Sequence, residues 1–318
     1  MIGGLNGILT AIVVASASAA LLALGGGRVY ELDVLSHLAP AYVTVGAVGA
    51  LWAFIVGRGP LFGASALAFA AGCFLMAPEF SRDSGPIAPA GAPGAIKVIQ
   101  INALRSNADV HKVADWLIGQ KPDVVMVTEA RHDLRDELVS RANWRTAGAQ
   151  GNLMIFTPRR YIRMDRPRVA PGQLFTFVNA TYAGPHGQME LVTAHLGWPI
   201  QSGVRAQARG LVSVVSSLPR HRMILAGDFN ATPWSAEMQR LDEDLGLIRR
   251  DRFVPTWPAQ VLGRRWPLPF LPIDHVYAGP GWATVKVERG PWLGSDHYPL
   301  IVTLAPVAQR APKSAARP

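Results

Sequence analysis

The stretches LAGDFNATP (residues 225–233) and GSDHYPL (residues 294–300) each set carboxylate, amide or imidazole side chains beside a short apolar run. In the first stretch Asp228 and Asn230 come directly after the apolar residues, and in the second an acidic residue and a histidine precede them. Short runs rich in Val, Ile and Leu that are bounded by loops are typical of buried β-strands. Both stretches therefore predict strand ends that present polar side chains.

The same layout of apolar runs and loops continues over residues 96–306. Asn102, Glu129 and His195 each stand at the end of an apolar run, and Asp274 opens one. Strands are predicted at 95–103, 124–128, 153–156, 174–182, 190–195, 223–227, 274–277, 284–287 and 300–304. Helices are predicted at 110–118 and 205–218. Strands interrupted by helices in this way predict an α/β sandwich.

Taken singly, the polar residues have structural explanations. Glu129 could be a solvated loop residue, His195 a hydrogen-bonded structural residue, and Asp228 with Asn230 a turn whose side chains bond backbone amides. Together they offer the hard oxygen ligands that Mg²⁺ or Mn²⁺ prefers, beside imidazoles that titrate near neutrality. The one cysteine, Cys73, lies in an apolar run, which disfavours zinc–thiolate and cysteine-nucleophile chemistry.

The order N…E…H…GDFN…DH…SDH resembles that of the endonuclease/exonuclease/phosphatase superfamily, the deoxyribonuclease-I-like fold. The resemblance covers residues 96–306, and GDFN and SDH are its most diagnostic motifs. It implies a four-layer α/β sandwich, in which two packed mixed β-sheets are flanked by helices. It also implies a hydrolase that acts on phosphate ester bonds, with its site where loops converge at one end of the sandwich.

The resemblance further implies a divalent metal site, with Mg²⁺ the expected ion and Mn²⁺ an alternative. Glu129 would be the principal ligand, while Asn102 and Asp296 would lie at or near the metal. The chain departs from the family at two positions, one just before Glu129 and one two residues after Asn102. Thr128 stands where many members have Gln, and Leu104 stands where some nucleases have an acidic residue. These departures bear on substrate identity more than on catalysis.

Five residues would carry the catalytic roles that the resemblance implies. Asp228 would hold and polarise the attacking water, and Asn230 would orient the scissile phosphate. His297, held by Asp274, would contact the phosphate and assist proton transfer. His195 matches the histidine that acts as general acid in nuclease-like members.

The amino-terminal part is apolar and predicts a multi-pass membrane anchor. The runs 8–24, 39–56 and 61–77 lack charged residues and approach the length of about 17–25 residues that crosses a bilayer. A secretory signal peptide would need a positively charged start, which residues 1–7 lack. A buried helical core is the other alternative, although it would hold unusually few charged side chains. Three transmembrane helices are the simplest interpretation.

The predicted organisation has four parts. Residues 1–78 form the three-helix membrane region, 79–95 a linker rich in Pro, Gly and Ala, 96–306 the catalytic domain and 307–318 a disordered basic tail. The LDVLSHL segment before the second apolar run is similar to that of a bacterial membrane-anchored subgroup of the superfamily. That similarity implies a catalytic domain outside the cytoplasm.

Nearly all charged residues lie after residue 95, and the formal net charge of +9 suits either an anionic partner or a surface that is simply solvated. Nucleic acid and lipid headgroups are both anionic, so charge alone does not choose between them. Nucleic acid is the leading substrate expectation. A phospholipid or sphingomyelin-type phosphodiesterase, a small-molecule phosphatase and a non-catalytic binding module are the alternatives. Membrane lipid is an expected partner, and no protein partner is inferred.

Two further features have both functional and structural explanations. Arg205 and Gln207 could reach a substrate phosphate or form a solvated helix face. The aromatic- and proline-rich loop 256–271 could stack bases or touch the membrane, or it could simply pack onto the sandwich.

Overall fold

A computed structural model describes residues 2–148, 152–165, 177–184 and 187–307, with side chains from residue 6 onward. The predicted tail lies outside the described residues except for Val307. The first three residues of the strand predicted at 174–182 lie outside them as well.

The described residues form helices and strands in the order expected for an α/β sandwich behind an apolar helical region. The helices are α1 (Ile2–Ala23), α2 (Tyr30–Ser36), α3 (Ala39–Ile55), α4 (Gly59–Ser81), α5 (Val110–Gln120), α6 (His132–Ala142), α7 (Val204–Ser216) and α8 (Ala236–Asp244). The strands are β1 (Ile96–Asn102), β2 (Val124–Thr128), β3 (Arg145–Ala147), β4 (Met154–Thr157), β5 (Tyr161–Asp165), β6 (Phe177–Gly184), β7 (Gly187–His195), β8 (Ile224–Asp228), β9 (Ile248–Arg249), β10 (Gln260–Val261), β11 (Arg264–Arg265), β12 (Asp274–Ala278), β13 (Trp282–Arg289) and β14 (Leu300–Pro306).

Two six-stranded mixed sheets make up the sandwich. The first has the strand order β13-β14-β1-β2-β4-β3, and the second has the order β5-β6-β7-β8-β12-β9. In the first sheet β1 is parallel to β2 and antiparallel to β14. In the second sheet β8 is parallel to β7 and antiparallel to β12. Each sheet therefore carries one central parallel pair whose carboxyl ends lie side by side.

The central strands are buried on both faces, as their continuous apolar runs predict. Alternate residues of β1 show this, because Val98 joins the core between the sheets while Ile99 joins the core beneath α5 and α6. The second sheet repeats the arrangement, with Leu225 packed beneath α7 and α8. The layers are thus helix, sheet, sheet and helix, and the predicted four-layer sandwich is confirmed.

The amino-terminal helices are apolar on their outer surfaces. By length and composition, α1 (from Asn6) and α4 could each cross a membrane. The second predicted span corresponds to α3, which qualifies only together with α2 as a pair bent by 55°. Exposed Phe54 and Phe74 illustrate the apolar surface that these helices turn outward.

The helical region packs directly onto the sandwich. At the end of α4, the buried Glu79 carboxylate forms an ion pair with the buried Arg249 guanidinium at 2.7 Å. In α2, the Asp33 carboxylate accepts hydrogen bonds from the backbone N–H groups of Ala236 and Glu237 at the start of α8. The helices and the sandwich therefore share buried polar contacts as well as apolar ones.

Candidate active site

The strand ends of both sheets meet at one end of the sandwich. In the second sheet Asp228 is paired in register with His195 of β7 and with Asp274 of β12. In the first sheet Asn102 ends β1, and Glu129 directly follows its neighbour β2. The carboxyl ends of the parallel pairs thereby bring residues that are far apart in sequence to one place.

These ends surround a cavity of about 390 Å³. Seven of the eight predicted site residues line it: Asn102, Glu129, His195, Asp228, Asn230, Asp296 and His297. The eighth, Asp274, is fully buried beneath the cavity floor. The structure thus gathers all eight at a single site.

Asn102 links the two sheets across the cavity. Its side-chain amide donates to Glu129 Oε1 at 3.2 Å and to Asp228 Oδ2 at 3.0 Å. The side-chain oxygen, Asn102 Oδ1, accepts a hydrogen bond from the Leu104 backbone N–H. This contact holds the NH₂ end of the amide toward the carboxylates. Two acidic groups from different sheets therefore share one neutral donor.

Glu129 is held as an ionised carboxylate. Burial acts to raise its pKa, but hydrogen bonds from the Arg105 backbone N–H and the Asn102 amide outweigh burial, so the pKa lies below its ordinary value. The backbone at Glu129 has a φ of 52°, in the left-handed region that is uncommon for a residue of this size. Strain of this kind is concentrated at functional sites.

The turn that carries Asn230 also has a left-handed residue, with a φ of 50° at Asn230 itself. Its backbone N–H donates to Asp228 Oδ1 at 2.9 Å, and its side-chain amide donates to the Leu196 carbonyl oxygen at 2.8 Å. The structural explanation of Asp228 and Asn230 as a turn is thus compatible with a functional one, because the same contacts fix both side chains at the cavity.

A buried carboxylate–imidazole pair lies beneath the cavity. Asp274 accepts hydrogen bonds from Gln100 Nε2 at 2.9 Å and from Thr256 Oγ1 at 2.5 Å. The remaining contact is to His297 Nδ1 at 2.7 Å, so His297 Nε2 points to Asp228 Oδ2 at 3.6 Å. Burial alone would lower the pKa of His297, but the Asp274 and Asp228 carboxylates outweigh it and raise the pKa to about 10.

Asp228 lies between two histidines, since His195 Nε2 is also 3.6 Å from Asp228 Oδ2. Burial raises the pKa of Asp228, while the charge of His297 acts in the opposite direction. The side chain of His195 is 28% exposed, in contrast to the buried His297. Of the two imidazoles, His195 is therefore the one that solvent and a ligand can reach.

The donor set is suited to a hard divalent cation. Glu129, Asp228 and Asp296 present carboxylates to the cavity, and the donors that line it are oxygen and nitrogen atoms. One ligand atom from each of Asp228, Asp274 and His297 also lies within 4.8 Å of the others. Both oxygens of Asp274 are already taken up by hydrogen bonds, however, so the open face of the cavity fits an ion better than this buried cluster.

Sequence reasoning missed several residues that support the site. Gln100 and Thr256 fix Asp274, and Ser295 donates from its hydroxyl to the Asn102 carbonyl oxygen at 2.7 Å. Gln207, interpreted as a phosphate contact or a solvated residue, accepts from the Gly197 backbone N–H at 2.8 Å and also lines the cavity. A polar Gln in the middle of an otherwise apolar strand was the one sequence signal for Gln100.

Aromatic side chains form part of the rim. Trp198 lines the cavity, and its ring centroid lies 5.5 Å from that of Trp257, at the start of the aromatic- and proline-rich loop. Beyond this contact the loop forms the small β10–β11 hairpin, and Leu262 at its tip is 97% exposed. The base of the loop therefore packs onto the site while its tip projects into solvent.

The four-layer sandwich and a site built of carboxylates, amides and imidazoles define a phosphate-ester hydrolase. The sequence model of the Endonuclease/Exonuclease/phosphatase family matches residues 99–297, and the chain belongs to that family. No curated protein matches the sequence significantly.

Solved structures of low sequence identity share the fold. D. rerio TDP2 complexed with single strand DNA product is 19% identical, with 66% of this chain and 99% of that chain covered and a TM-score of 0.56. The human Nocturnin catalytic domain with bound sulfate is 17% identical, with 72% and 99% covered and a TM-score of 0.55. A mannosyl-6-phosphatase from Bacteroides thetaiotaomicron VPI-5482 is 14% identical, with 66% and 99% covered and a TM-score of 0.55.

Proposed function

We propose that this chain is a membrane-anchored, divalent-metal-dependent phosphodiesterase that cleaves a phosphate ester by attack of water. One observation carries the proposal: the carboxylates of Glu129 and Asp228 and the Asp274–His297 pair, contributed by both sheets, converge on a single cavity. Family membership supports phosphate-ester hydrolysis as the reaction class.

Glu129, with Asn102 and Asp296, would hold the metal ion, for which Mg²⁺ is the expected identity and Mn²⁺ an alternative. When bound, such an ion neutralises phosphate charge and stabilises the pentacovalent transition state. The low pKa of Glu129 keeps that carboxylate ionised at neutral pH without a bound cation. Asn102 Oδ1 has a second lone pair beyond the one that accepts from Leu104, so the amide retains acceptor capacity.

Asp228 would orient the attacking water and accept its proton, because its carboxylate faces the cavity and is itself fixed by Asn102 and the Asn230 backbone N–H. His297, kept protonated by Asp274, would donate to a phosphate oxygen and oppose the charge that develops there. Asn230 would orient the phosphate. Partly exposed His195 would deliver a proton to the leaving group.

The apolar helices would place this chemistry at a bilayer. We assign residues 1–78 to the anchor, 79–95 to the connection and 96–306 to catalysis, with the domain outside the cytoplasm. The carboxyl-terminal ends of α1 and α4 face the sandwich. The turn that contains Arg58 lies at the other end of the helical region, away from the sandwich. A cytoplasm-only fluorescent reporter fused after Pro318 should stay dark while a periplasmic phosphatase fusion is active; the reverse pattern would overturn the orientation.

Hydrolysis by the purified full chain tests the reaction. In detergent with Mg²⁺ or Mn²⁺, the chain should cleave bis(p-nitrophenyl) phosphate, and EDTA should abolish cleavage. Asp228→Asn and His297→Gln should each lower kcat by about 10²–10⁴. Asp136→Asn, an exposed acid on α6, is the matched control and should retain full activity. Activity that survives EDTA and both site substitutions would refute the proposal. A parallel panel of DNA, RNA and phospholipid vesicles identifies the substrate class.

A further inference from the structure

A second and larger cavity lies next to the active site. It is a groove of about 590 Å³ between α2 and the segment that leads from β7 into α7. Its walls are mainly apolar, with Tyr30 and Val34 on the α2 side and Pro199, Ile200 and Val204 on the other. The volume falls within the range of roughly 300–1,000 Å³ that small-molecule sites occupy.

The groove adjoins the catalytic cavity. Gln201 lines both cavities, and Gly197 and Trp198, which come four and three residues before it, line the catalytic cavity. Ile200, which directly precedes Gln201 and lines the groove, is 78% exposed. A ligand with its phosphate in the catalytic cavity could therefore extend past Gln201 into the groove.

The groove also adjoins the apolar helices. Its α2 wall begins at Tyr30, seven residues after the end of α1, and α3 begins three residues after the end of α2. The wall is thus built from α2, which follows the candidate span α1 and belongs to the bent α2–α3 pair. If those helices cross a bilayer, the groove lies at its surface, where lipid is the most concentrated apolar ligand.

The polar part of the lining favours an anionic lipid. Arg205 and Arg209 stand one turn apart on α7 and line the groove, opposite the single carboxylate of Glu31. The Arg205 guanidinium is 5.0 Å from the ring centroid of Tyr30, so it lies over the groove wall. Cationic side chains beside an apolar surface attract negatively charged lipids.

We propose that this groove holds the hydrophobic part of a membrane lipid whose phosphate ester lies in the catalytic cavity. The substrate class is then a lipid phosphodiester taken from the leaflet beside the anchor. This inference rests on the proposed phosphodiesterase function and on the membrane placement. A polynucleotide would instead require a basic track with stacking platforms for successive bases, which the aliphatic walls of Val34, Ile200 and Val204 do not supply.

A bulky side chain in the groove tests the inference. Ser202 lines the groove and is exposed, so Ser202→Trp fills it without disturbing the core. Ser213→Trp, at an exposed position further along α7, is the matched control. Each full-length variant is assayed on vesicles of phosphatidylethanolamine and phosphatidylglycerol, and separately on water-soluble bis(p-nitrophenyl) phosphate.

Each excluded methylene should cost about fourfold in affinity. Ser202→Trp should therefore lower kcat/KM for the vesicle lipid by more than about tenfold, leaving soluble-diester cleavage within about twofold of wild type. Ser213→Trp should change neither. Ile200→Gln, which removes an apolar wall without adding bulk, should raise KM for the lipid by about fourfold with kcat unchanged.

The outcomes separate the inference from the function on which it rests. Wild type that cleaves the soluble diester but not the vesicle lipid would overturn the lipid site and leave the phosphodiesterase standing. Equal loss of vesicle-lipid and soluble-diester cleavage in Ser202→Trp would also overturn the lipid site. So would a Ser202→Trp variant that loses cleavage of single-stranded DNA but not of lipid. Failure of wild type on every phosphodiester would remove both.

Discussion

Replacing Glu79 with alanine should loosen the attachment of the apolar helices to the catalytic domain. The Glu79 carboxylate lies in a buried ion pair, with its oxygens 2.7 Å and 3.3 Å from the terminal nitrogens of the Arg249 guanidinium. Arg249 also contacts Asp242 at 2.8 Å and 3.0 Å and lies 3.8 Å from Asp251, so it would keep two carboxylate neighbours after the substitution. Its side chain is 1% exposed, so water cannot replace the lost partner.

Removal of one partner from a buried ion pair costs roughly 3–5 kcal/mol. Because Asp242 and Asp251 remain beside Arg249, the lower end of this range applies, and we expect a loss of about 3 kcal/mol in the free energy of unfolding. For a domain of about 200 residues this corresponds to a fall in Tm of about 6–12 °C. Glu79→Gln keeps the shape of the side chain without its charge, so its Tm should lie between those of wild type and Glu79→Ala.

Tryptophan fluorescence of the full chain during heating in detergent measures this effect. Trp234 is a natural reporter, because it is buried in a cluster with Ala39 of α3 and Met76 of α4. Asp136→Ala, which removes an exposed carboxylate 3.8 Å from Arg135, should leave Tm unchanged within about 1 °C. A Glu79→Ala chain that melts with wild type would refute the docked arrangement of helices and sandwich.

Three further predictions concern other parts of the structure. Gly227→Ala should destabilise the chain by about 3 kcal/mol in urea unfolding and abolish hydrolysis, because its Cβ would lie 1.9 Å from the Ala194 carbonyl oxygen of the paired strand. Asp33→Ala should cost about 1 kcal/mol in the same measurement, since it removes an acceptor for two N–H groups at the start of α8. The third concerns acid. Burial would raise the pKa of Asp251, but the charge and hydrogen bond of His275 and the charge of Arg249 lower it to about 2 from 3.8. The stability that Asp251 contributes is therefore present above pH 4 and should be lost, by about 2 kcal/mol, as pH falls from about 4 to 2; an Asp251→Asn chain should lack this part of the pH dependence.

The central strands were predictable because each is an apolar run with both faces covered. The edge strands β3, β5 and β9 were missed, since they are short and β5 is largely exposed, with no burial to enforce a pattern. The helix α6 was missed for a related reason. Its sequence HDLRDELVSRA has five charged residues out of eleven, and only Leu134 and Leu138 are buried. Sequence patterns therefore predicted the strands that are buried, because burial requires apolar residues there, and missed the more exposed elements.

The polar residues that line the cavity could be named from their motifs, but the residues that hold them in place could not. Gln100 and Asp274 are 174 positions apart in sequence, and no local pattern reports such a contact. From its sequence, the LDVLSHL segment predicts part of the membrane region and an orientation of the catalytic domain, but no contact with the site. In the structure its His37 Nδ1 lies 2.8 Å from Thr232 Oγ1, two residues beyond Asn230. This contact between the end of α2 and the turn after β8 is a tertiary contact that sequence order alone does not reveal.

The most direct test of the shared site is Mn²⁺ binding to the full chain, followed by electron paramagnetic resonance as the free ion disappears. Loss of the Glu129 charge in Glu129→Gln should weaken Mn²⁺ binding by about tenfold or more. The exposed Glu243→Gln should bind as wild type does. Equal Mn²⁺ affinity in wild type and Glu129→Gln would contradict the assignment of this cavity as a metal-dependent hydrolytic centre.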